Sequence, residues 1–353
     1  MKKLNIKAID LFCGIGGMTQ GLIQAGINVI AGIDTDKSCK YAYEKNNKGS
    51  KFYNMDVKEL NENDLEKEYD SSEIRILVGC APCQPFSKHT QKNKKRDQDK
   101  KWDLLGHFGR IIDKLKPEIV SMENVPQLRN SRIYQEFLKV LINNDYKISS
   151  KIVYCPDYGI PQTRSRLVLL ASRLGSIELL STTIKKNNYK TVMDTISNLE
   201  PLEHGQASTS DPLHRASKLS HINLKRMKQS KPGGTWRDWE DTLQLECHQK
   251  KSGKTYPSVY GRMRWDKPSP TITTQFYNFG TGRFGHPEQN RAISLREGAL
   301  LQTFPENYQF FNKDKNELNV SKIGIHIGNA VPPKLGLIVG KSIIKHLEDN
   351  HEQ

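Results

Sequence analysis

A cysteine between two prolines is the residue of this sequence best placed to act as a nucleophile. Cys83 lies in the nonapeptide Gly79–Ser87 (GCAPCQPFS), which follows an apolar run, Ile74–Val78, typical of a buried parallel strand. The prolines and the lack of a helical period predict a rigid turn. Cys83 would therefore lie at the carboxyl end of a strand, where open α/β sheets bind their ligands. A thiolate there could attack an electrophilic carbon.

Three other roles are open to this cysteine. Free cysteines are often simply buried in the core. With Cys80, Cys83 also forms a C-x-x-C pair, which occurs in thioredoxin-like dithiols and in zinc sites. A zinc site needs a second ligand pair, and the sequence has no second C-x-x-C. A dithiol domain is expected to be small and to lack a cofactor loop, so the nucleophile hypothesis depends on what the rest of the chain offers.

The beginning of the chain has the order of a nucleotide-binding unit. Lys7–Phe12 is predicted as a strand, Cys13–Gly17 as a glycine turn that opens a helix, and Asn28–Ile33 as a second strand that ends before Asp34. An acid at that position can accept hydrogen bonds from ribose hydroxyls. Thr19 occupies the third glycine position of G-x-G-x-x-G. The loop therefore favours a cofactor without a pyrophosphate, such as S-adenosylmethionine.

Further polar side chains follow the ends of later predicted strands. Asp56 follows a third strand and could contact an adenine edge, whereas Glu123 follows a fifth strand and is a second acid at the same sheet edge. Arg164 and Arg166 enter a seventh strand, where alternation would put both guanidinium groups on one face. The predicted strands and helices after residue 50 are Lys51–Met55, Ile74–Val78, Trp102–Leu115, Glu118–Met122, Lys151–Tyr154, Leu167–Ala171, a capped helix over Ser294–Gln302 and a closing helix over Lys334–Leu347.

The charge of the chain indicates a polyanionic partner. Its net charge is +15, of which Lys88–Lys101 contributes +5 (seven basic and two acidic residues) and Ser172–Ala292 contributes +8 (nineteen and eleven). In the second stretch, arginines alternate with aromatic residues, a composition that suits nucleic-acid contact. Six cysteines without regular spacing indicate a reducing compartment. With no apolar run of membrane-spanning length and no signal peptide at Met1, we expect a cytoplasmic protein that does not associate with membranes.

Six motifs stand together in one order: DLFCGIGG, GCAPCQPFS, ENV, QTRSRL, SLREGALLQTFP and GNAVPP. With them the chain resembles, nearly end to end, the DNA (cytosine-5) methyltransferases of bacterial restriction-modification systems. The resemblance implies an α/β fold that binds S-adenosylmethionine, with a Rossmann-like mixed seven-stranded sheet, helices on both faces and a smaller target-recognition domain. It places the catalytic domain in 1–184 and 322–353 and the target-recognition domain with its hinge in 185–321.

The same resemblance implies a role for each site residue. Cys83 would attack C6 of a cytosine flipped out of the duplex, Glu123 would bind N3 and the exocyclic amine, and Arg166, helped by Arg164, would hold O2 of the base. Thr35 departs from the family, many members of which have a bulky apolar residue there. The residues implied for the cofactor are Phe12, Gly14, Gly16, Gly17, Asp34, Asp56, Pro82, Leu104, Asn329 and Val331. The residues predicted to contact DNA are Ser87, Lys94, Lys95, Arg96, Arg237, Arg262 and Arg264.

The sequence thus predicts an S-adenosylmethionine-dependent methyltransferase that acts on double-stranded DNA. We expect a monomer without a metal site, paired in function with a restriction endonuclease but not bound to it. Three alternatives remain: a transfer-RNA cytosine-5 methyltransferase of the same fold, a catalytically silent DNA-binding relative, and a nicotinamide oxidoreductase. The long variable segment between Arg166 and Ser294 argues against the first, and the joint presence of Cys83, Glu123 and Arg166 argues against the second.

Overall fold

The computed structural model describes residues 5–70, 72–82, 103–182, 184–250, 253, 257–315 and 317–351. Five residues of the predicted site lie outside these ranges, namely Cys83, Ser87, Lys94, Lys95 and Arg96. Among the described helices, none is long and apolar enough to cross a membrane.

A seven-stranded mixed sheet forms the centre of the larger part of the protein. Its strands are β1 (Ile6–Leu11), β2 (Asn28–Asp34), β3 (Lys51–Asn54), β4 (Ile74–Gly79), β5 (Ile119–Asn124), β6 (Lys147–Tyr154) and β7 (Ser165–Ser172). They lie in the order β3-β2-β1-β4-β5-β7-β6. Neighbouring strands are parallel from β3 to β5, and β7 is antiparallel to both β5 and β6. The predicted fold class is confirmed.

Burial explains which strands were easy to predict. β5 is buried at every position and β4 at all but one, so both are the continuous apolar runs expected of central strands. β6 lies at the edge of the sheet and alternates little, because most of its residues are at least partly exposed. It begins at Lys147, four residues before the predicted start at Lys151, since the whole of β7 is available as its partner. The first residues of β6 are largely polar, so the sequence did not predict that they pair with β7.

The helices connect the strands and close the chain. The first five are α1 (Gly17–Gln24), α2 (Lys40–Asn46), α3 (Glu62–Tyr69), α4 (Asp103–Leu115) and α5 (Arg132–Asn143). Those that follow the sheet are α6 (Met193–Ile196), α7 (His221–Gln229), α8 (Glu246–Gln249), α9 (Leu295–Leu301), α10 (Val320–Asn329) and α11 (Pro333–His351). The capping box predicted at α9 is present: Ser294 Oγ accepts from Glu297 N at 3.1 Å, and the Glu297 carboxylate accepts from Ser294 N.

The chain forms two compact units. The larger consists of Met1–Tyr154, Ser165–Thr183 and Ala330–Gln353, and the smaller of Cys155–Arg164 and Ile184–Asn329. The predicted domain boundaries remain a prediction; apart from residue 184, this division into compact units differs from them in residues 155–164 and 322–329. Residues 155–164 lie in the smaller unit because Gln162 and Thr163 bond to Gln302 and Ser269 there. All of α10 also lies in that unit, since Gln302 Nε2 donates to Ile327 O at 2.7 Å.

The smaller unit has a core of its own. Trp236, Trp239 and Phe279 are buried together, and His248 stacks on Trp236 with ring centroids 4.2 Å apart. Beside α9, Arg291 and Glu297 form a fully buried pair with two hydrogen bonds of 2.7 and 2.8 Å. Burial alone would raise the pKa of Glu297, but the bonds from Arg291 outweigh it and lower this pKa to about 2. This carboxylate therefore stays charged inside the unit.

The last segment of the chain returns to the first helix of the larger unit. A Cβ atom at Gly17 would lie 2.1 Å from Val331 O, and one at Gly21 would lie 2.2 Å from Pro333 O and 2.3 Å from Leu337 N. These distances are too short for any side chain. The contact between α1 and α11 therefore requires glycine at both positions of α1.

We expect Gly21→Ala to destabilise the protein by about 3 kcal/mol, because the methyl group would push the backbone of α11 away from α1. The matched control is Gly109→Ala in α4, where the nearest atom to the new Cβ would be Val140 Cγ2 at 3.5 Å. There the higher helix propensity of alanine should stabilise the protein by up to about 1 kcal/mol. Urea denaturation of both variants measures the difference, and equal stabilities would contradict the close approach.

Candidate active site and cofactor pocket

The glycine turn after β1 is held by the acid at the end of β2. Phe12, Gly14 and Gly16 all have positive φ angles, of 60°, 52° and 86°. Gly14 N donates to Asp34 Oδ2 at 2.8 Å, and Asp36 N donates to Asp34 Oδ1 at 2.9 Å. Both carboxylate oxygens are thus oriented by backbone groups. The turn and Asp34 form one preorganised unit, as the βαβ pattern predicted.

Beside this turn lies a pocket of about 220 Å³. The described residues that line it are Phe12, Asp34, Thr35, Met55, Asp56, Val57, Lys58, Pro82 and Leu104. Five of them were predicted cofactor residues, and they come from the carboxyl ends of several strands and the start of α4. Lys58 N donates to Asp56 Oδ1 at 3.0 Å, which orients that carboxylate as well.

The pocket suits a nucleoside. Aromatic and aliphatic groups of Phe12, Val57 and Leu104 offer apolar contact to a flat base, whereas the carboxylates of Asp34 and Asp56 can accept from ribose hydroxyls and from an exocyclic amine. Thr35 is also among the lining residues. At this position the chain therefore contributes a small polar side chain to the pocket, where many members of the family that it resembles have a bulky apolar one. The residues present therefore fit S-adenosylmethionine in its adenosine part.

The other predicted cofactor residues lie in different places. Gly16 and Gly17 belong to the turn and the start of α1, and Val331 is the residue whose carbonyl lies against Gly17. Asn329 ends α10 in the smaller unit and is exposed. Its assignment to the cofactor remains a prediction.

An acid and an arginine meet at the ends of β5 and β7. Arg166 Nε lies 2.8 Å from Glu123 Oε1, with side chains that are 14% and 8% exposed. The antiparallel pairing of the two strands brings them together, because Glu123 is paired with Val168 and Asn124 with Leu167. This largely buried pair can present a carboxylate and a cation to one polar, planar ligand.

The residue after Glu123 supports the turn that carries the predicted nucleophile. Asn124 is buried, and its Nδ2 donates to Ala81 O at 2.9 Å, two residues before Cys83. Asn124 was absent from the predicted site, although it belongs to the ENV motif. Only the sheet shows its function, since β4 and β5 are adjacent while the two residues are 43 positions apart in the chain. Cys83 itself lies outside the described residues.

Arg164 is placed differently from Arg166. β7 begins at Ser165, so the alternation that we applied to both arginines does not extend to Arg164. The side chain of Arg164 is buried in the smaller unit, where its Nη1 donates to Ile272 O at 3.4 Å. We therefore keep Arg164 as a predicted helper of the site without assigning it a contact.

Cys80 has the properties of a structural thiol. Burial raises its pKa well above the usual value, and the nearby charges of Glu123 and Asp10 raise it further. The thiolate, not the thiol, is the nucleophile. Within the C-x-x-C pair, Cys80 is thus poorly suited to attack a carbon.

The predicted DNA-contacting arginines of the smaller unit differ in exposure. Arg237 is exposed and lies over the Trp236 ring at 5.6 Å, and exposed Arg264 pairs with Asp266 at 2.9 Å. Arg262 is 5% exposed, and burial lowers its pKa. Because its guanidinium group is enclosed by the protein, we leave Arg262 out of the proposed DNA-contacting set.

Asp10 is a buried acid that the sequence did not single out. It lies near the end of β1 with no exposure, and Thr19 Oγ1 donates to its Oδ2 at 2.7 Å. Its Oδ1 has no hydrogen-bond partner among the described residues. Burial raises the pKa of Asp10 to about 7, with a smaller contribution from the charge of Asp34.

Comparison with known proteins gives a consistent result over nearly the whole chain. The family model of the C-5 cytosine-specific DNA methylases matches residues 6–345. The type II methylase M.HgiDII of Herpetosiphon aurantiacus is 50% identical over 348 residues, which cover 98% of this chain and 97% of that protein. The type II methyltransferase M1.HphI of Haemophilus parahaemolyticus is 28% identical, with 97% of this chain and 87% of that protein covered.

Solved structures show the same fold. A prophage-encoded protein of Escherichia coli, described as a DNA modification methyltransferase, has a TM-score of 0.73 at 21% identity and covers 97% of this chain and 99% of its own. The methyltransferase EhMeth of Entamoeba histolytica has a TM-score of 0.67 at 17% identity, with 98% of this chain and 99% of its own covered.

We expect Asp10→Asn to change the pH dependence of stability. The raised pKa means that the folded protein keeps a proton on Asp10 between about pH 4 and 7, while the unfolded chain releases it. Wild-type stability should therefore fall across this window, by a few kcal/mol as an order of magnitude. The asparagine of this variant cannot ionise, but its amide oxygen can still accept a hydrogen bond from Thr19. The variant should therefore not show the part of the decrease in stability that Asp10 causes.

The measurement is urea denaturation at pH 5 and at pH 8, with Asp64→Asn on the exposed surface of α3 as the control for removal of one carboxyl group. The stability of Asp10→Asn relative to wild type should be clearly higher at pH 8 than at pH 5. Parallel pH profiles for wild type and Asp10→Asn would refute the assignment.

Proposed function

The chain belongs to the C-5 cytosine-specific DNA methylases, and on this premise we propose that Cys83, Glu123 and Arg166 carry its catalysis. It is a DNA (cytosine-5)-methyltransferase, EC 2.1.1.37. As a type II modification methylase, it methylates DNA within a restriction-modification system. The observation that supports the proposed site is the Glu123–Arg166 pair beside Asn124, which holds the turn before Cys83.

We assign the first chemical step to Cys83. Its thiolate attacks C6 of the flipped cytosine, a carbon–sulfur bond forms, and the electrons of the C5–C6 double bond make C5 nucleophilic. S-adenosylmethionine, when bound, supplies an electrophilic methyl group on its sulfonium. Once C5 carries the methyl group, loss of its proton to solvent restores the C5–C6 double bond and expels the thiolate from C6. Cysteine suits both the first and the last step of this reaction, because sulfur is a strong nucleophile and a tolerable leaving group.

Glu123 and Arg166 lower the barrier to this attack. As sulfur adds to C6, negative charge develops on N3 and O2 of the base. Glu123 accepts a hydrogen bond from the exocyclic amine and passes a proton to N3, and Arg166 provides a fixed positive charge for O2. The ion pair at 2.8 Å holds both side chains in place before the base arrives, so little reorganisation is needed during the reaction.

The pocket beside the glycine turn holds the cofactor in this proposal. Asp34 accepts from the ribose hydroxyls, Asp56 accepts from the adenine amine, and Phe12 contacts the flat face of the base. The turn at Gly14, Gly16 and Gly17 borders the methionine part, with Pro82, Leu104 and Val331 as further contacts and Asn329 as a predicted one. The family implies S-adenosylmethionine as the methyl donor.

DNA is bound through phosphate contacts from the basic segments. We propose that Lys94, Lys95 and Arg96, with Ser87, contact the duplex near the nucleophile, and that Arg237 and Arg264 contact it from the smaller unit. The family match favours DNA over transfer RNA as the substrate. We propose a cytoplasmic monomer that does not bind its partner endonuclease.

Bisulfite sequencing of DNA from a host that expresses the protein tests this function directly. The expected result is a set of protected cytosines within one short sequence. A Glu123→Gln variant should lose most of this protection, because an amide cannot pass a proton to N3 as negative charge develops there. Complete conversion of all cytosines with the wild-type protein would contradict the function.

The nucleophile assignment is tested with duplex DNA that carries 5-fluorocytosine at the mapped position. Fluorine cannot leave C5 as a proton does, so the reaction stops with sulfur bonded to C6. We expect a covalent complex with the wild-type protein and none with Cys83→Ser, because a serine hydroxyl is barely ionised near neutral pH. The Cys83→Ser variant should still bind S-adenosylmethionine, as measured by calorimetry.

Cys80→Ser is the matched control, since it changes the other cysteine of the same turn. It should keep the covalent complex and most of the activity, with at most some loss of stability from a hydroxyl in a partly buried place. Mass spectrometry of the trapped complex identifies the joined residue. A DNA-linked peptide joined at any other residue would refute the role of Cys83.

A further inference from the structure

Three segments of the smaller unit, 231–235, 260–264 and 282–286, lie side by side. Gly233 N donates to Arg262 O at 2.8 Å, and on the other side Gly285 N donates to Gly261 O and Met263 N to Gly285 O, at 2.9 and 2.8 Å. Bridges of β type join Arg262 to Pro232 and to Gly285. We call these segments the arginine platform.

Arg262 joins the platform by hydrogen bonds to neighbouring segments of the smaller unit. A guanidinium group has five N–H donors, and all five of Arg262 are used. A buried arginine with every donor satisfied cannot reach a ligand, but it fixes the backbone of its neighbours. Its five acceptors are Ser230 O (2.9 Å), Met227 O (2.7 Å), His286 O (2.9 Å), Gln289 O (2.9 Å) and Asn290 Oδ1 (3.0 Å).

Two exposed arginines lie across the glycines of the platform. The stem of Arg283 runs over Gly261, where an added Cβ would lie 2.5 Å from Arg283 Cγ. The stem of Arg264 runs over Gly233, where an added Cβ would lie 2.9 Å from Arg264 Cδ. Exposed arginines usually keep much rotamer freedom and lose it on binding. Here the stems are packed on the backbone beforehand, which reduces the entropic cost of a directional contact.

The two arginines differ in what their guanidinium groups contact. Arg264 is bound to Asp266 through two hydrogen bonds of 2.9 Å. Arg283 has no hydrogen-bond or ion-pair partner among the residues that the structure describes. Of the two, only Arg283 therefore presents a complete fork of donors to a ligand.

A packed stem with an unoccupied fork suits a base better than a phosphate. Phosphate contacts position a protein on DNA without carrying sequence information, and they tolerate a flexible cation. An arginine that binds guanine O6 and N7 must instead hold its fork in the plane of the base, and this is the commonest specific contact in the major groove.

We propose that Arg283 recognises a guanine of the target site in the major groove, and that buried Arg262 is a positioning residue that holds the platform under it. This inference rests on the proposed function in DNA methylation. It assigns a specificity-determining residue within a stretch where motif comparison transfers no role.

Selection of bound duplexes from a randomised library, with the full-length protein, tests the role of Arg283. The key variant is Arg283→Lys, which keeps the charge but replaces the fork by a single ammonium group. We expect the wild-type protein to retain duplexes with a guanine at one fixed position. In Arg283→Lys the preference at that position should fall by about tenfold or more, with the other positions unchanged.

The matched control is Arg132→Lys on α5, an exposed arginine that pairs with Glu136 at 2.8 Å, and its selected sequence should equal that of wild type. Arg283→Ala separates the two kinds of contact. If it weakens binding equally for all sequences while Arg283→Lys keeps the wild-type preference, Arg283 contacts phosphate and the proposal is overturned. A wild-type protein that selects no sequence overturns it as well.

Failure of the proposed function has a different signature. Bound duplexes are counted without any methylation, so the selection reports on Arg283 even for an inactive enzyme. A protein that selects a guanine through Arg283 but protects no cytosine from bisulfite would refute the function alone. A protein that protects cytosines, with unchanged selection by Arg283→Lys, would refute the inference alone.

Discussion

The larger unit depends on the absence of two side chains. Gly17 and Gly21 let the backbone that begins α11 lie directly on α1, where a Cβ would be little more than 2 Å from backbone atoms. The turn between β1 and α1 carries Gly14, whose N–H orients Asp34. A shift of α1 would therefore move the wall of the pocket proposed to bind the cofactor, and a chain segment more than 300 residues away is needed to keep that wall in place.

The site is built in the same way, from short contacts between residues that are distant in the chain. Asn124 supports the turn before Cys83, and its neighbour Glu123 pairs with Arg166. One strand end thus contributes both the support of the nucleophile turn and the carboxylate proposed to bind the base. In the proposed mechanism the nucleophile and its acid have to be held to within a fraction of an ångström, and the adjacent strands β4 and β5 bring Asn124 and Ala81 into contact.

Arginine has several distinct functions in this protein. Arg291 neutralises the buried carboxylate of Glu297, Arg262 satisfies four backbone carbonyls and an amide, and Arg166 forms an ion pair with Glu123. Removal of a buried partner such as Arg291 would leave an uncompensated charge, a change that typically costs about 3–5 kcal/mol. Only arginines with exposed guanidinium groups, among them Arg264 and Arg283, are available to DNA, so net charge alone overstates the binding surface.

Features that depend on neighbours in the chain could be predicted from the amino-acid sequence alone. The strand–turn–helix order around Gly14, the strand ends at Asp34 and Glu123 and the capping box of Ser294 follow from local patterns. Features that depend on distant partners became visible only in the folded protein: the burial of Arg262, the support of Ala81 by Asn124, the early start of β6 and the placement of α10 in the smaller unit. The physical reason is that backbone propensity and side-chain alternation act over a few residues. Whether a polar side chain is buried depends on acceptors that other segments bring to it.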